Sequence, residues 1–217
     1  MPAHVGLLAR GPWEPGQVAH RWVEERFEPG PEASAAADAA IQELRDRGSP
    51  THDGLSARLV AWDADERRLA LELQPARWSL RLGEHAAGSL AALCVTRDAD
   101  GRWLAGRRAA WLASWAGRWA LGAGGAIEVG EDPVGALARE LQEEWSVAPE
   151  RLTVEGLVRN PQGLVLLVGL ARLPAGAEVA PDDEHDAFDW WPSDVDRWPP
   201  QADAPLRAMG HLLAGAA

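Results

Sequence analysis

Residues 124–147, GGAIEVGEDPVGALARELQEEWSV, fix one piece of architecture before the rest of the chain is considered. Asp132 followed by Pro133 is a helix start. The aspartate can accept from free first-turn amides, and proline forfeits nothing at the first position, where the amide has no helical partner. The spacing predicts a helix over 133–145. Along it Val134, Leu137, Leu141 and Trp145 recur as an apolar stripe, whereas Glu140, Glu143 and Glu144 share another face. One face packs and the other collects negative charge. Ahead of the helix, Gly124, Gly125 and Gly130 make a loop that can take positive φ and bring bare backbone close to a phosphate or metal.

Three carboxylates on one helical face repel, each like-charge pair costing about a few tenths of a kcal/mol or more when partly desolvated. A cation must compensate. Donors that are all oxygen suit Mg²⁺ or, in its place, Mn²⁺, and Mg²⁺ normally shares its shell with substrate phosphates.

The fixed pattern Gly125, Glu131, Arg139, Glu140, Leu141, Glu143, Glu144 and Val147 resembles the Nudix box. It departs from it at Ser146, where the family has glycine. The resemblance runs from near Ser89 to the C-terminus. It implies that the Gly124 carbonyl with Glu140, Glu143 and Glu144 binds metal, and that Glu131 pairs with Arg139 to hold loop against helix. The implied reaction is attack of a metal-activated water on one phosphorus of a diphosphate. The proton acceptor is either a box glutamate, Glu140 or Glu144, or Glu184 in the later segment PDDEHDAFDWW. Ser146 falls just past the helix end, where a left-handed conformation suits glycine and costs serine about 1 kcal/mol. That is a matter of stability rather than chemistry.

Composition narrows the partners. A net charge of −12 argues against a broad nucleic-acid surface. With nucleic acid set aside, the partner that the resemblance implies is a small-molecule nucleotide. No apolar run is long enough to span a bilayer, and the start MPAHVGLLARGPWEPG lacks the pattern of a signal peptide, so the expected location is the cytoplasm, away from membranes. Cys94 is the only cysteine, which excludes an internal disulfide and a cysteine-based zinc site. In SLAALCVT it reads as a buried strand thiol.

HVGLLARG is a strand, GQVAHRWVEERF a helix, and EASAAADAAIQELRDRG a helix ending at Gly48. GSPTHDG is a loop; a plain connection accounts for His52 and Asp53, and a loop facing substrate is the alternative. LSARLVAWDADERRLALEL and LAALCVTRDADGRWLAGRR are hairpins. LTVEGLVR and LVLLVGLARL form another around NPQG; HDAFDWWP is a strand and ADAPLRAMGHLLAG a helix. This order suits the Nudix α/β/α sandwich, an α/β fold with a mixed sheet, over residues 87–217. Residues 1–86 form an N-terminal α+β extension or small module. In some relatives such an extension helps build the substrate site or the dimer, so the resemblance allows a homodimer.

For the substrate, Arg107, Arg108 and Arg118 precede the loop and could reach phosphates bidentately; a solvated strand arginine is the alternative for each. Trp111 and Trp115 could stack on a base or serve as packing residues, while Trp119 reads as core. Pro161 lies close to where ADP-ribose pyrophosphatases carry a proline, although a turn explains it equally. The leading substrate class is a nucleoside diphosphate linked to another group, an NDP-sugar or an ADP-ribose-like molecule. The alternatives are a (d)NTP pyrophosphatase of the house-cleaning type and a non-catalytic nucleotide-sugar sensor.

Overall fold

The computed structural model describes residues 6–50, 52–83, 86–160 and 162–215. Pro161, the leading His4 and Val5 of the first expected strand, and Thr51 of the 48–54 loop lie outside them.

The elements in chain order are β1 (Gly6–Trp13), β2 (Val18–Trp22), α1 (Pro31–Asp46), β3 (Leu55–Ala64), β4 (Leu69–Arg77), β5 (Leu90–Arg97), β6 (Trp103–Arg108), β7 (Trp119–Leu121), α2 (Pro133–Trp145), β8 (Arg151–Arg159), β9 (Val165–Arg172), β10 (His185–Trp191) and α3 (Ala204–Ala214). The large sheet runs β1-β8-β9-β5-β6-β10, with β7 also on β6. It is mixed, because β5 and β9 are parallel and the other neighbours antiparallel. A small sheet, β2-β4-β3, carries a parallel β2–β4 pair.

Strand alternation sets the layers. Along β9, Val165, Leu167 and Ala171 face the core that α2 seals, and Val168 and Leu170 face the core that α3 seals. A strand covered on both sides needs apolar residues at every position, which is why VLLVGLAR carries no polar alternation. Gly169 lets the helix approach: a Cβ there would lie 2.7 Å from Leu137 Cδ1. The whole stripe of Val134, Leu137, Leu141 and Trp145 is buried. The fold is thus an α/β/α sandwich with a mixed sheet. The small sheet adds Leu59, Leu69, Leu71 and Leu73 to the α2 core, and β1 lies beside β8 as the outermost strand of the large sheet. No helix of the described residues is long and apolar enough to cross a membrane.

Two expectations are corrected. Within GQVAHRWVEERF, Val18–Trp22 form a strand, β2, after a short 3₁₀ turn at Pro15–Gln17, and no helix. Its Val18–Trp22 spacing suits a helical stripe equally, and pairing with β4 decides the outcome. In LAALCVTRDADGRWLAGRR the hairpin is paired only next to its turn, at Arg97 with Trp103. Beyond that point β5 gives its edge to the glycine loop: Cys94 N donates to Ala123 O at 2.8 Å and Ala92 N to Gly125 O at 3.0 Å. On the other side of the loop Ala57 N of β3 donates to Ile127 O at 2.9 Å. The loop is wedged between the two sheets.

Candidate active site

The site starts from the caps of α2. Asp132 accepts from Val134 N at 3.3 Å and Gly135 N at 3.1 Å, which satisfies two of the free first-turn amides. At the other end Ser146 is left-handed, at φ 53° and ψ 32°. The glycines ahead of the helix act differently from the expectation. Gly130 has positive φ, whereas Gly124 and Gly125 do not. They are needed for close approach instead: a Cβ on Gly125 would lie 2.5 Å from the Glu140 carboxylate, and one on Gly124 2.8 Å from Ala92 O. The sharp bend belongs to Gly122, at φ 61°, where a side chain would collide with the Cys94 carbonyl.

Arg139 is the hub that locks loop to helix. Its Nε donates to Glu131 Oε1 at 2.7 Å, its Nη2 to Ala126 O at 3.0 Å and its Nη1 to Glu143 Oε2 at 2.7 Å. Its Nη2 also lies 2.9 Å from Glu140 Oε1. Glu131 in turn accepts from Glu128 N at 2.8 Å. The bond to Glu131, reinforced by the neighbouring glutamates, raises the arginine's pKa.

Glu140 and Glu144 are buried, at 7% and 4% exposure. Gly124 N donates to Glu144 Oε1 at 2.9 Å, but the buried Oε2 has no hydrogen-bond partner. The nearest cationic candidate, His185 Nε2, is 3.7 Å away from that oxygen. Burial pushes the pKa of Glu140 to about 7, against the pull of Arg139, and that of Glu144 to about 9, against the Gly124 amide. Two buried carboxylates with an orphan oxygen suit an oxygen-preferring divalent cation, which would satisfy both and keep them ionised. Among the described residues no three acidic, histidine or cysteine side chains already converge as a metal cluster. Glu143, the third expected donor, is exposed and drawn to Arg139.

The segment before β10 is strapped to the end of α2. Ala180 N donates to Trp145 O at 3.0 Å and Asp182 N to Glu144 O at 2.9 Å, so carbonyls that a helix end leaves free acquire partners. This strap brings Glu184 to the cleft, with Arg108 Nη2 3.6 Å from its Oε2. Burial raises the Glu184 pKa and Arg108 opposes the rise. His185, which the sequence reading passed over, has a fully buried side chain stacked on Trp145 with centroids 4.5 Å apart. Burial, with Arg108 nearby, lowers its pKa.

Two cavities open on either side of the glycine loop. The first, about 550 Å³, is bounded by Glu140, Glu184, Arg108 and Trp111 together with Trp78 and His52 of the N-terminal segment. The second, about 320 Å³, is more apolar, formed by β5, β7 and α3 residues such as Leu93, Leu121 and Met209, with Trp115 and Arg118 at its edge. Trp111 and Trp115 are 39% and 38% exposed, so neither is a core residue. Trp119 packs against Trp191 at 5.5 Å. The Arg118 guanidinium lies over the Trp115 ring at 4.7 Å and pairs with Asp203. Arg107 borders neither cavity: strand alternation turns it from Arg108, and it pairs with Asp186 at 2.6 Å. Cys94 is buried, and burial pushes its thiol up to about 12, which makes it inert.

No curated protein matches the sequence. Among solved structures, the MutT NUDIX hydrolase of Burkholderia pseudomallei is 26% identical, with a TM-score of 0.47 over 58% of this chain and 97% of that one. The NUDIX domain of Shewanella oneidensis NrtR, complexed with ADP ribose, is 22% identical, with a TM-score of 0.43 over 51% and 77%. The MutT/nudix family protein of Enterococcus faecalis is 23% identical, with a TM-score of 0.41; the match spans 48% of this chain and only 43% of that one. The NUDIX domain profile matches residues 89–209, more than half of the chain and including the whole loop–helix unit around Arg139. The chain therefore belongs to the Nudix family, whose members are hydrolases acting on pyrophosphate bonds.

Proposed function

We propose that the protein hydrolyses the diphosphate linkage of a nucleoside diphosphate joined to a second group, an NDP-sugar or an ADP-ribose-like molecule. The observation that carries this reading is the pair of cavities meeting at the glycine loop. A substrate with a bulky group on each side of its diphosphate fills both, whereas a nucleoside triphosphate has only one such group and leaves a cavity empty.

Glu140 and Glu144, with the Gly124 carbonyl and with Glu143 once it leaves Arg139, would hold Mg²⁺ or Mn²⁺. When bound, that ion neutralises phosphate charge and lowers the pKa of a coordinated water. The remaining work falls to the chain's own groups. Arg108 binds a phosphate oxygen, and Arg118 with Trp115 orients the group in the apolar cavity. Arg139 and Glu131 keep the loop pressed against α2. Glu184, partly buried and held by the strap, takes the proton of the attacking water. The new phosphorus–oxygen bond forms as the bridging one breaks, giving a nucleoside monophosphate and a phosphomonoester.

The test is turnover of UDP-sugars, ADP-ribose, dinucleoside polyphosphates and dNTPs with Mg²⁺ or Mn²⁺ and with EDTA. Metal-dependent cleavage of the two-ended diphosphates is the expected result, with Glu184→Gln lowering kcat by about 10²–10⁴-fold. Preference for dNTPs would replace this substrate class. Thermal stabilisation by a nucleotide without any turnover would make the protein a binding module.

A further inference from the structure

The neck where the two cavities meet is lined by Arg81, Arg108, Ser114, Gly124 and Gly125. Of these, Arg81 alone precedes the residues that the family profile matches. It sits in the 3₁₀ turn Trp78–Leu82 that follows β4. That turn is irregular but firmly held. Asp53 Oδ1 accepts from Ser79 N at 3.0 Å, and its Oδ2 accepts from Arg77 Nε at 3.0 Å and Nη2 at 2.5 Å. Arg77 Nη2 reaches Asp38 of α1 at 2.7 Å as well, and Trp78 N donates to Gly54 O at 2.8 Å. Burial alone would raise the Asp53 pKa, and the bonds from Arg77 and Ser79 outweigh it and lower it, as expected of an anchored carboxylate.

The other arginines of the cleft have partners. Arg139 is saturated by Glu131, Glu140 and Glu143, Arg118 is paired with Asp203, and Arg108 donates to Ser114 O at 3.2 Å and faces Glu184. Arg81 is partly buried, with its guanidinium 5.5 Å from the Trp78 ring centroid, and makes no hydrogen bond or ion pair with any described residue. Burial, with Arg108 nearby, lowers its pKa to about 10, and the charge of Glu140, which no ion pair joins to it, offsets this only in part. A guanidinium so placed gains from an arriving anion, and its planar fork matches two phosphate oxygens.

We propose that Arg81 is a substrate-binding residue that the N-terminal segment adds to the site, gripping the diphosphate at the neck together with Arg108. The position then sets the diphosphate across the loop, so that the groups at its two ends enter different cavities. This assignment rests on the two-ended substrate proposed above only for which groups those are. Asp53 and Arg77 act on it as positioning residues.

The experiment compares wild type, Arg81→Gln and Arg81→Lys, with thermal melts to verify folding. Calorimetric titration with pyrophosphate and with ADP-ribose in EDTA reads anion binding without turnover. Steady-state kinetics on ADP-ribose with Mg²⁺ supplies the second readout. Affinity for both anions should fall about tenfold to a hundredfold in Arg81→Gln, the loss expected for charge-assisted bonds, with partial recovery in Arg81→Lys. KM should rise by a similar factor with a smaller change in kcat. Equal affinity in all three proteins, or no binding by wild type, overturns the assignment. Arg81-dependent pyrophosphate binding in a protein that cleaves no two-ended diphosphate would refute the substrate class and leave Arg81 standing.

Discussion

At the scale of the residue, Glu144 carries the tension of the site. One of its oxygens is held by the Gly124 amide while the other is buried without a partner. Glu144→Gln should therefore lower Mn²⁺ affinity, measured by calorimetry, by more than the roughly 10–100-fold typical of losing an outer partner. The same residue sets a pH response in metal-free protein. The native pKa values of Glu140 and Glu144 are pushed to about 7 and about 9 from a usual 4.5, so the folded state holds protons that the unfolded chain releases. Their contribution is full below pH 4.5 and is lost as pH rises through 7 and then 9. In EDTA the melting temperature should fall across that window. Glu144→Gln should remove the upper part of the fall, and Mg²⁺ should flatten it by favouring the ionised pair. A melting temperature that rises between pH 5 and 9 in EDTA would contradict the burial argument.

Elements differ in how plainly the sequence announces them. The helix α2 was legible from end to end, because cap, stripe and acidic face are all written within 133–145. The left-handed geometry at Ser146 was legible too, from its place just past the helix end. Ser146→Gly should stabilise the protein by up to about 1 kcal/mol in urea unfolding, less whatever the added freedom of the unfolded chain takes back. What the sequence hid are features made by long-range pairing. The strand β2 carries a spacing compatible with a helix and becomes a strand only beside β4. Gly122 has no motif of its own, and its need for positive φ arises from the Cys94 carbonyl that faces it. Arg81 reaches the cleft through a turn held by Asp53, and His185 reaches the buried Glu144 through a strap held by the end of α2. Neither tie is local enough to leave a pattern. Arg107 and Arg108 looked equivalent in sequence, and one step of strand alternation separates them.

For the whole molecule, the N-terminal segment is bound into both sheets. It contributes β1 to the edge of β8, four buried leucines to the α2 core and a backbone bond to Ile127. We therefore expect residues 87–217, expressed alone, to lack cooperative unfolding by circular dichroism, since an open β8 edge and an uncovered apolar face would remain. A sharp, native-like melt of that fragment would show that the segment is dispensable for folding. The wedged loop has a consequence for time as well as for place. Gly122 N donates to Leu104 O of β6 at 3.0 Å, Ala123 N to Cys94 O of β5 at 3.1 Å, and Gly124 N to Glu144 of α2. A run of glycines is ordinarily among the first segments to trade its amide protons with solvent. Here three successive protons are each committed to a different element, so they should exchange only when the sandwich itself opens, and any gating of the cleft must come from its rim around Trp111 and Trp115 instead.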